Sequence, residues 1–440
     1  MKSFFLFNCN WPARKKSCPY ERLRKSSSER DRAKVIAPLV RRVTESLIGG
    51  AFLSGWPVTF NLISILFLIT STFQTSAKAD VILTMGGDLN LGQSKVAPMS
   101  DRACKNGQCF SWVNVFKDLE PLLIGNLNFY NMETVLTDGE EQLSAKGGKY
   151  LFRTHLEGVR YAKKIGLNWM SLANNHVGDY GTEGMLETLE SLERLSKEGG
   201  PLLYHGIARS KNEILQPSVI EINSTTEGPV RIAFAAVTFV RNSSMQVDQR
   251  RPGVLYPENT QDMNELLRNF RNISADFKVL SIHGGTERQL TLNPGQQDLY
   301  ESFLSRGELD LIIGHHPHRV RPVEKVGHKV IFYSLGNYLM LGASGLNDHS
   351  DAEDFGLMGR LYLSKNSTGR LEIKSIEAIP LFNMHARVFP LTGKESKNRL
   401  EKLNDLTNRQ LGNAGIQWSY LPNGWGQFCF AGCQTDVYNP

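Results

Sequence analysis

Residues 172–181 read LANNHVGDYG, and the fold turns on how this stretch is read. The run ahead of it, GLNWMSLA (166–173), is apolar enough to be a buried strand that ends in a turn. Behind it, GTEGMLETLESLERL (181–195) places Met185, Leu189, Leu192 and Leu195 at helical spacing. A strand, a polar turn and a helix put Asn174, Asn175 and His176 at the carboxyl end of the strand, where open α/β sheets place their ligands. The same residues also suit an Asx-rich turn that caps the helix. The rest of the chain has to decide between the two.

Working outward, strands are expected at VILTMG (81–86), GNLNFYNME (125–133), RIAFAAV (231–237), KVLSI (278–282), LDLII (309–313) and KVIFYS (329–334). Helical spacing appears near 112–123, at 155–165, and in NTQDMNELLRNFRN (259–272) and PGQQDLYESFLSR (294–306). Strands alternating with helices argue for an α/β sheet with helices on its faces. LMGRLYL and RLEIKSIEAIP, joined through KNSTG, read as a hairpin over 357–380. Beyond that the pattern weakens. The expected division is a main domain over 80–380 and a C-terminal tail or small subdomain over 381–440.

The net charge of +6 is misleading, because residues 1–79 hold 13 Lys/Arg against 4 Asp/Glu. The body from 80 onward is therefore slightly acidic and offers no nucleic-acid surface. Residues 1–79 read as a basic leader with an export signal or membrane anchor. Its basic stretch (13–42) precedes the apolar run PVTFNLISILFLITSTF (57–73), shorter than the roughly 20 residues of a membrane helix. Ala77 and Ala79 follow in the A-x-A pattern of a signal-peptidase site. The expectation is an exported protein, periplasmic or in the cell envelope, either cleaved after Ala79 or anchored through 57–73. Cysteine usage agrees with export: CKNGQC (104–109) and CFAGC (429–433) are each spaced to close a local disulfide. Neither pair has the C-x2-C spacing of a zinc site.

Polar residues gather just after the apolar strands. Asp88 follows VILTMGG, Glu133 follows NLNFYNM, and Asn174, Asn175 and His176 follow WMSLA. His283 and Glu287 follow KVLSI, and His315, His316 and His318 follow LDLIIG. An Asp after a strand is ordinarily a turn residue, and a single His beside an apolar strand is ordinarily a satisfied core residue. GHHPH (314–318) is different, since clustered imidazoles make poor turns and read first as metal ligands. Five strand ends bearing carboxylate, amide and imidazole form the donor set of Zn, Mn or Fe.

GGDLNLG (86–92), NME (131–133), LANNHVGDYGTEG (172–184), SIHGGTE (281–287) and IIGHHPHRVRPVE…VIFYSLGNYL (312–339) resemble, in order, the blocks of the poly-γ-glutamate capsule protein CapA family. That family lies in the calcineurin-like metallophosphoesterase superfamily. The resemblance implies a four-layer α-β-β-α sandwich with two divalent metal ions at the carboxyl ends of the strands. By position, Asp88, Glu133, Asn175, His283, His316 and His318 are the implied metal ligands, with Glu133 bridging. His176 is the implied general acid, with Asp179 orienting it or capping the helix at Gly181. The implied activity is hydrolysis of a phosphate ester in capsule or poly-γ-glutamate production. The alternative is a non-catalytic, metal-dependent component that binds an anionic polymer beside membrane-bound synthase components. The chain departs from the family at Met132 (usually Leu), at Gly284 (usually Trp) and at Asn90, where many superfamily hydrolases carry His.

Overall fold

Parity along the strands builds the molecule. The computed structural model describes residues 81–430 except 93–96, 99–100, 106–107, 138–149, 225–227, 242–244 and 343–354. The leader, with its apolar run at 57–73 and the Ala77–Ala79 site, lies outside the described residues, as does Cys433. Among the described residues no helix is long and apolar enough to cross a membrane.

Two sheets dominate. The larger contains β1 (Val81–Asn90), β2 (Leu127–Met132), β3 (Trp169–Ser171) and β4 (Leu203–His205), paired in that order and all parallel. The smaller contains β5 (Ser218–Asn223), β6 (Pro229–Thr238), β7 (Phe277–His283), β8 (Leu311–His315), β9 (Val323–Val326) and β10 (Lys329–Phe332). Within it β6, β7, β8 and β10 run parallel.

Side chains two apart share a face, and each sheet has two apolar faces. Leu83, Met85, Phe129 and Trp169 of the large sheet meet Ile232, Phe234, Val279, Leu311 and Ile313 of the small one in a core between the sheets. The alternate residues Tyr130, Met132 and Met170 turn outward against helices α1 (Trp112–Phe116), α2 (Leu156–Lys164) and α3 (Gly181–Lys197). Ala233, Ala235, Leu280 and Ile312 turn outward against α4 (Thr260–Asn272) and α5 (Gln296–Arg306). The result is the expected four-layer α-β-β-α sandwich. The helix expected over 112–123 is shorter than its spacing suggested. It ends at Phe116 and resumes as a single 3-10 turn at Glu120–Leu122, where Pro121 cannot donate to a preceding turn.

The chain beyond β10 extends the large sheet. β11 (Asn337–Met340) pairs with the end of β1, and β12 (Gly356–Lys365) and β13 (Leu371–Phe382) form the expected hairpin beside β1. Past 381, β14 (Phe389–Pro390) and β16 (Gly426–Cys429) both pair with β13, and β15 (Ser419–Tyr420) pairs with β16. Between them α6 (Gly393–Leu411) buries Leu400 and Leu403 in the core between the sheets. The described part of the C-terminal segment is thus continuous with the large sheet. Cys104 and Cys109 face each other across a small antiparallel hairpin and are joined by a disulfide.

Candidate metal centre

In both sheets the parallel strands present their carboxyl ends to one rim. Parity then selects which end residues face the neighbouring sheet. In β2 the inward series Leu127, Phe129 continues to Asn131 and Glu133. In β7, Phe277 and Val279 continue to Ser281 and His283, and in β8, Leu311 and Ile313 continue to His315.

Simple alternation in β1 would turn Asp88 outward, because Val81, Leu83 and Met85 face inward. A register shift prevents this: Met85 pairs with Phe129 but Asp88 with Asn131, so β1 spends three residues where β2 spends two. Such a bulge re-aims the next side chain, and Asp88 joins the inward set while Leu89 packs outward. Gly86 and Gly87 form the bulge. A Cβ on Gly87 would collide with the Gly336 carbonyl oxygen, which accepts the Asp88 N–H at 3.0 Å. The approach requires glycine.

Asp88, Glu133, His283 and His315 are fully buried, and His316 nearly so. Excluding His315 and adding His318, the donor atoms form two groups that share Glu133: Glu133 with His283 and His316, and Asp88 with Glu133 and His318. His283 Nε2 lies 2.8 Å from Asn175 Oδ1, 3.1 Å from His316 Nδ1 and 3.5 Å from Glu133 Oε1. Around an ion with bonds of about 2.0–2.2 Å, neighbouring donors stand about 2.8–3.6 Å apart, so this spacing fits a transition-metal shell. On the other side His318 Nδ1 lies 3.2 Å from Asp88 Oδ2 and 2.8 Å from Asn337 Oδ1.

Neither oxygen of Glu133 has a hydrogen-bond partner. A buried carboxylate left so is costly unless a cation takes it. The electrostatics agree. Burial pushes the Glu133 carboxyl well above the usual carboxylate range, and the Asp88 charge adds to the effect. Burial also works against ionisation of Asp88, but the hydrogen bond and charge of His318 outweigh it and hold that carboxyl below its usual range. His318 is raised to about 10 in spite of burial, chiefly by Glu133 and Asp88. Burial, with His316 beside it, pushes His283 well down, and burial lowers His316 to about 4. Without an ion, protons must stand in for positive charge; a dication relieves both carboxylates.

The backbone of the GHHPH turn is strained to hold this arrangement. His316 has φ 98° and His318 φ 52°, left-handed values that side-chain-bearing residues seldom adopt. Such outliers concentrate at functional sites.

The two asparagines of LANNH divide their work. Asn174 Oδ1 accepts the N–H groups of His176 (3.1 Å) and Val177 (3.0 Å), and its Nδ2 donates to the Met132 carbonyl at 2.8 Å. It builds the turn; Asn175 faces His283. His176 is partly buried, stacks on Phe152 with ring centroids 3.9 Å apart, and meets Asp179 Oδ2 through Nδ1 at 2.8 Å. The same Asp179 oxygen accepts the Phe152 N–H at 2.7 Å. Asp179 therefore fixes the imidazole, while Tyr180 stands at the helix cap without a side-chain bond.

Other sequence candidates fall outside the two groups. Glu287 is exposed. His315 is buried and stacked on Phe129, 3.8 Å from Asp88 Oδ1, in neither group. Asn90 turns its Oδ1 to the Gly92 N–H at 2.9 Å. Gly284 lacks the family's tryptophan, and Phe239 packs over the space its Cβ would take. Sequence reasoning gave no role to Asn131, Phe152 or Asn337. Asn131 and Asn337 lie inside the quoted blocks, and Asn337 pairs in register with Asp88.

Residues 82–341 match the family described as bacterial capsule synthesis protein PGA_cap. Two curated relatives are the PGA biosynthesis protein CapA of Bacillus subtilis (strain 168), 30% identical over 51% of this chain and 54% of that protein, and the capsule biosynthesis protein CapA of Bacillus anthracis, 25% identical over 56% and 54%. The match spans about half the length of each. Among solved structures, the calcineurin-like phosphoesterase YfkN of Bacillus subtilis is 12% identical, with a TM-score of 0.39 over 75% of this chain and 98% of that one. The chain belongs to the bacterial capsule synthesis protein family.

Proposed function

With family membership as the premise, we propose that the chain is an exported phosphoesterase of capsule or poly-γ-glutamate production that works with two divalent metal ions. The observation that carries this reading is Glu133, whose two unpartnered, fully buried oxygens lie between two sets of nitrogen and oxygen donors. Asn175, His283 and His316 would hold one ion with Glu133, and Asp88 and His318 the other. When bound, such a pair supplies Lewis acidity toward a phosphate ester and an activated water.

The remaining work falls to the chain's own residues. His176 gives a proton to the departing oxygen from Nε2, since Nδ1 is committed to Asp179. Asp179 holds the ring plane through Nδ1, and Phe152 supports its face. The slightly acidic body and the donor chemistry favour an anionic phosphate ester over nucleic acid. Export is supported by the A-x-A site at Ala77–Ala79 and by the Cys104–Cys109 disulfide.

A second reading draws on Asn90. Its oxygen is engaged by Gly92, which leaves three protein donors in the group around Asp88 and favours a binding role in which the metals hold an anionic polymer such as poly-γ-glutamate. The purified protein should be assayed on p-nitrophenyl phosphate and its bis-ester with and without Mn2+, with poly-γ-glutamate binding measured in parallel. Metal-dependent hydrolysis supports the first reading. Metal-dependent polymer binding with no hydrolysis of either ester replaces it with the second.

A further inference from the structure

We infer that Asn131, which is not a metal donor itself, is the positioning residue that ties the two donor groups together. The inference rests on the reading that both groups hold ions. Asn131 is fully buried and stands opposite Asp88 in the parallel register of β1 and β2. Its Nδ2 lies 2.8 Å from Asp88 Oδ1, a donor of one group, and 3.2 Å from His283 Nδ1, on a donor of the other. Its Oδ1 lies 3.4 Å from Asn174 Nδ2. Asn174 in turn builds the turn that carries Asn175 and His176. One amide thus touches a carboxylate on β1, an imidazole on the opposite sheet and the turn between them.

The chemistry explains why the residue is an amide. Asp88 Oδ1 needs a donor, so that Oδ2 stays aimed at the His318 side. An asparagine supplies a donor to Asp88 through Nδ2 and an acceptor to the Asn174 amide through Oδ1 from one short side chain; leucine, of similar size, supplies neither.

The test titrates the metal-free protein with Mn2+, counting bound ions by electron paramagnetic resonance and affinities by calorimetry. Wild type is compared with Asn131→Leu, and the fold of each metal-free form is checked by circular dichroism. The expected result is two ions in wild type and, in folded Asn131→Leu, both affinities lower by about 10–100-fold, the usual effect of losing such a supporting bond. A folded variant with unchanged affinities overturns the inference, because a residue that only packs would lower the melting temperature alone. Weakening of one ion and not the other overturns the tie between the groups. Should Asn131→Leu not fold, Asn131→Ser carries the same comparison. Wild type that binds no Mn2+ overturns both the inference and the metal reading beneath it, whereas an unchanged variant leaves that reading standing.

Discussion

Glu133 and His205 are both buried ionisable residues at the carboxyl rim of the large sheet, one just past β2 and the other ending β4. Their surroundings are opposite. His205 accepts the Ala236 N–H at 3.0 Å through Nδ1 and donates through Nε2 to the Gln216 carbonyl at 3.2 Å. Every polar atom of its ring is satisfied, and it links the two sheets as a neutral strut. Glu133 has no partner for either oxygen. The difference teaches that burial of a polar group at a strand end does not identify a site; an unmet demand for charge does.

The sharpest way to break the comparison is Glu133→Gln. Removing the shared carboxylate should take both ions, from about two per chain toward none, because both groups include Glu133. Full metal content by mass spectrometry in that variant would place Glu133 with His205 among structural residues. His316→Ala and His318→Ala should each lose mainly one ion, since each belongs to a different group. Full occupancy in both would defeat the assignment.

His176→Ala should keep its metals, because Asn175 rather than His176 faces His283. Hydrolysis of an ester with a poor leaving group should fall by about 10²–10⁴, the usual worth of a positioned proton donor. Loss on p-nitrophenyl esters should be much smaller, since that group departs without a proton. Equal losses on both, accompanied by loss of metal, would make His176 a ligand.

The smallest effect belongs to His205, whose neutral ring burial holds down to about 4. Its pKa is lowered on folding, so the unfolded chain takes up the proton first. The stabilisation is complete above the unfolded value near 6.5 and is lost as the pH falls toward 4, a span of roughly 3 kcal/mol. Urea midpoints across that range should slope more steeply in wild type than in His205→Gln, with metal content equal in the two. A change in metal content would erase the contrast with Glu133.

Much of this was legible from sequence, for identifiable reasons. The parallel strands are continuous apolar runs between helices of regular spacing, so their existence and order follow from periodicity. The candidate metal donors stand out because they follow those runs directly. The aim of each side chain was less accessible. Alternation alone turns Asp88 the wrong way, and only the extra residue at Gly86–Gly87 corrects it. Asn131 was passed over because its importance lies in register with Asp88 and in closeness to His283, which comes from the other sheet. In α6, Leu400, Leu403 and Leu411 have helical spacing, but the charged and amide residues between them dilute the signal.

Gly87 and Gly336 bear a different kind of constraint. Neither donates an atom to chemistry, yet the backbone of one occupies the space a side chain on the other would need. Among diverging relatives, these two positions should resist substitution as firmly as the histidines, Gly87 for want of room and Gly336 for its left-handed backbone at φ 67°, rather than for want of reactivity. A comparison of sequences that equates invariance with catalysis would count them as active-site residues. A library that varied every residue near Asp88 would find Gly87 intolerant even of alanine.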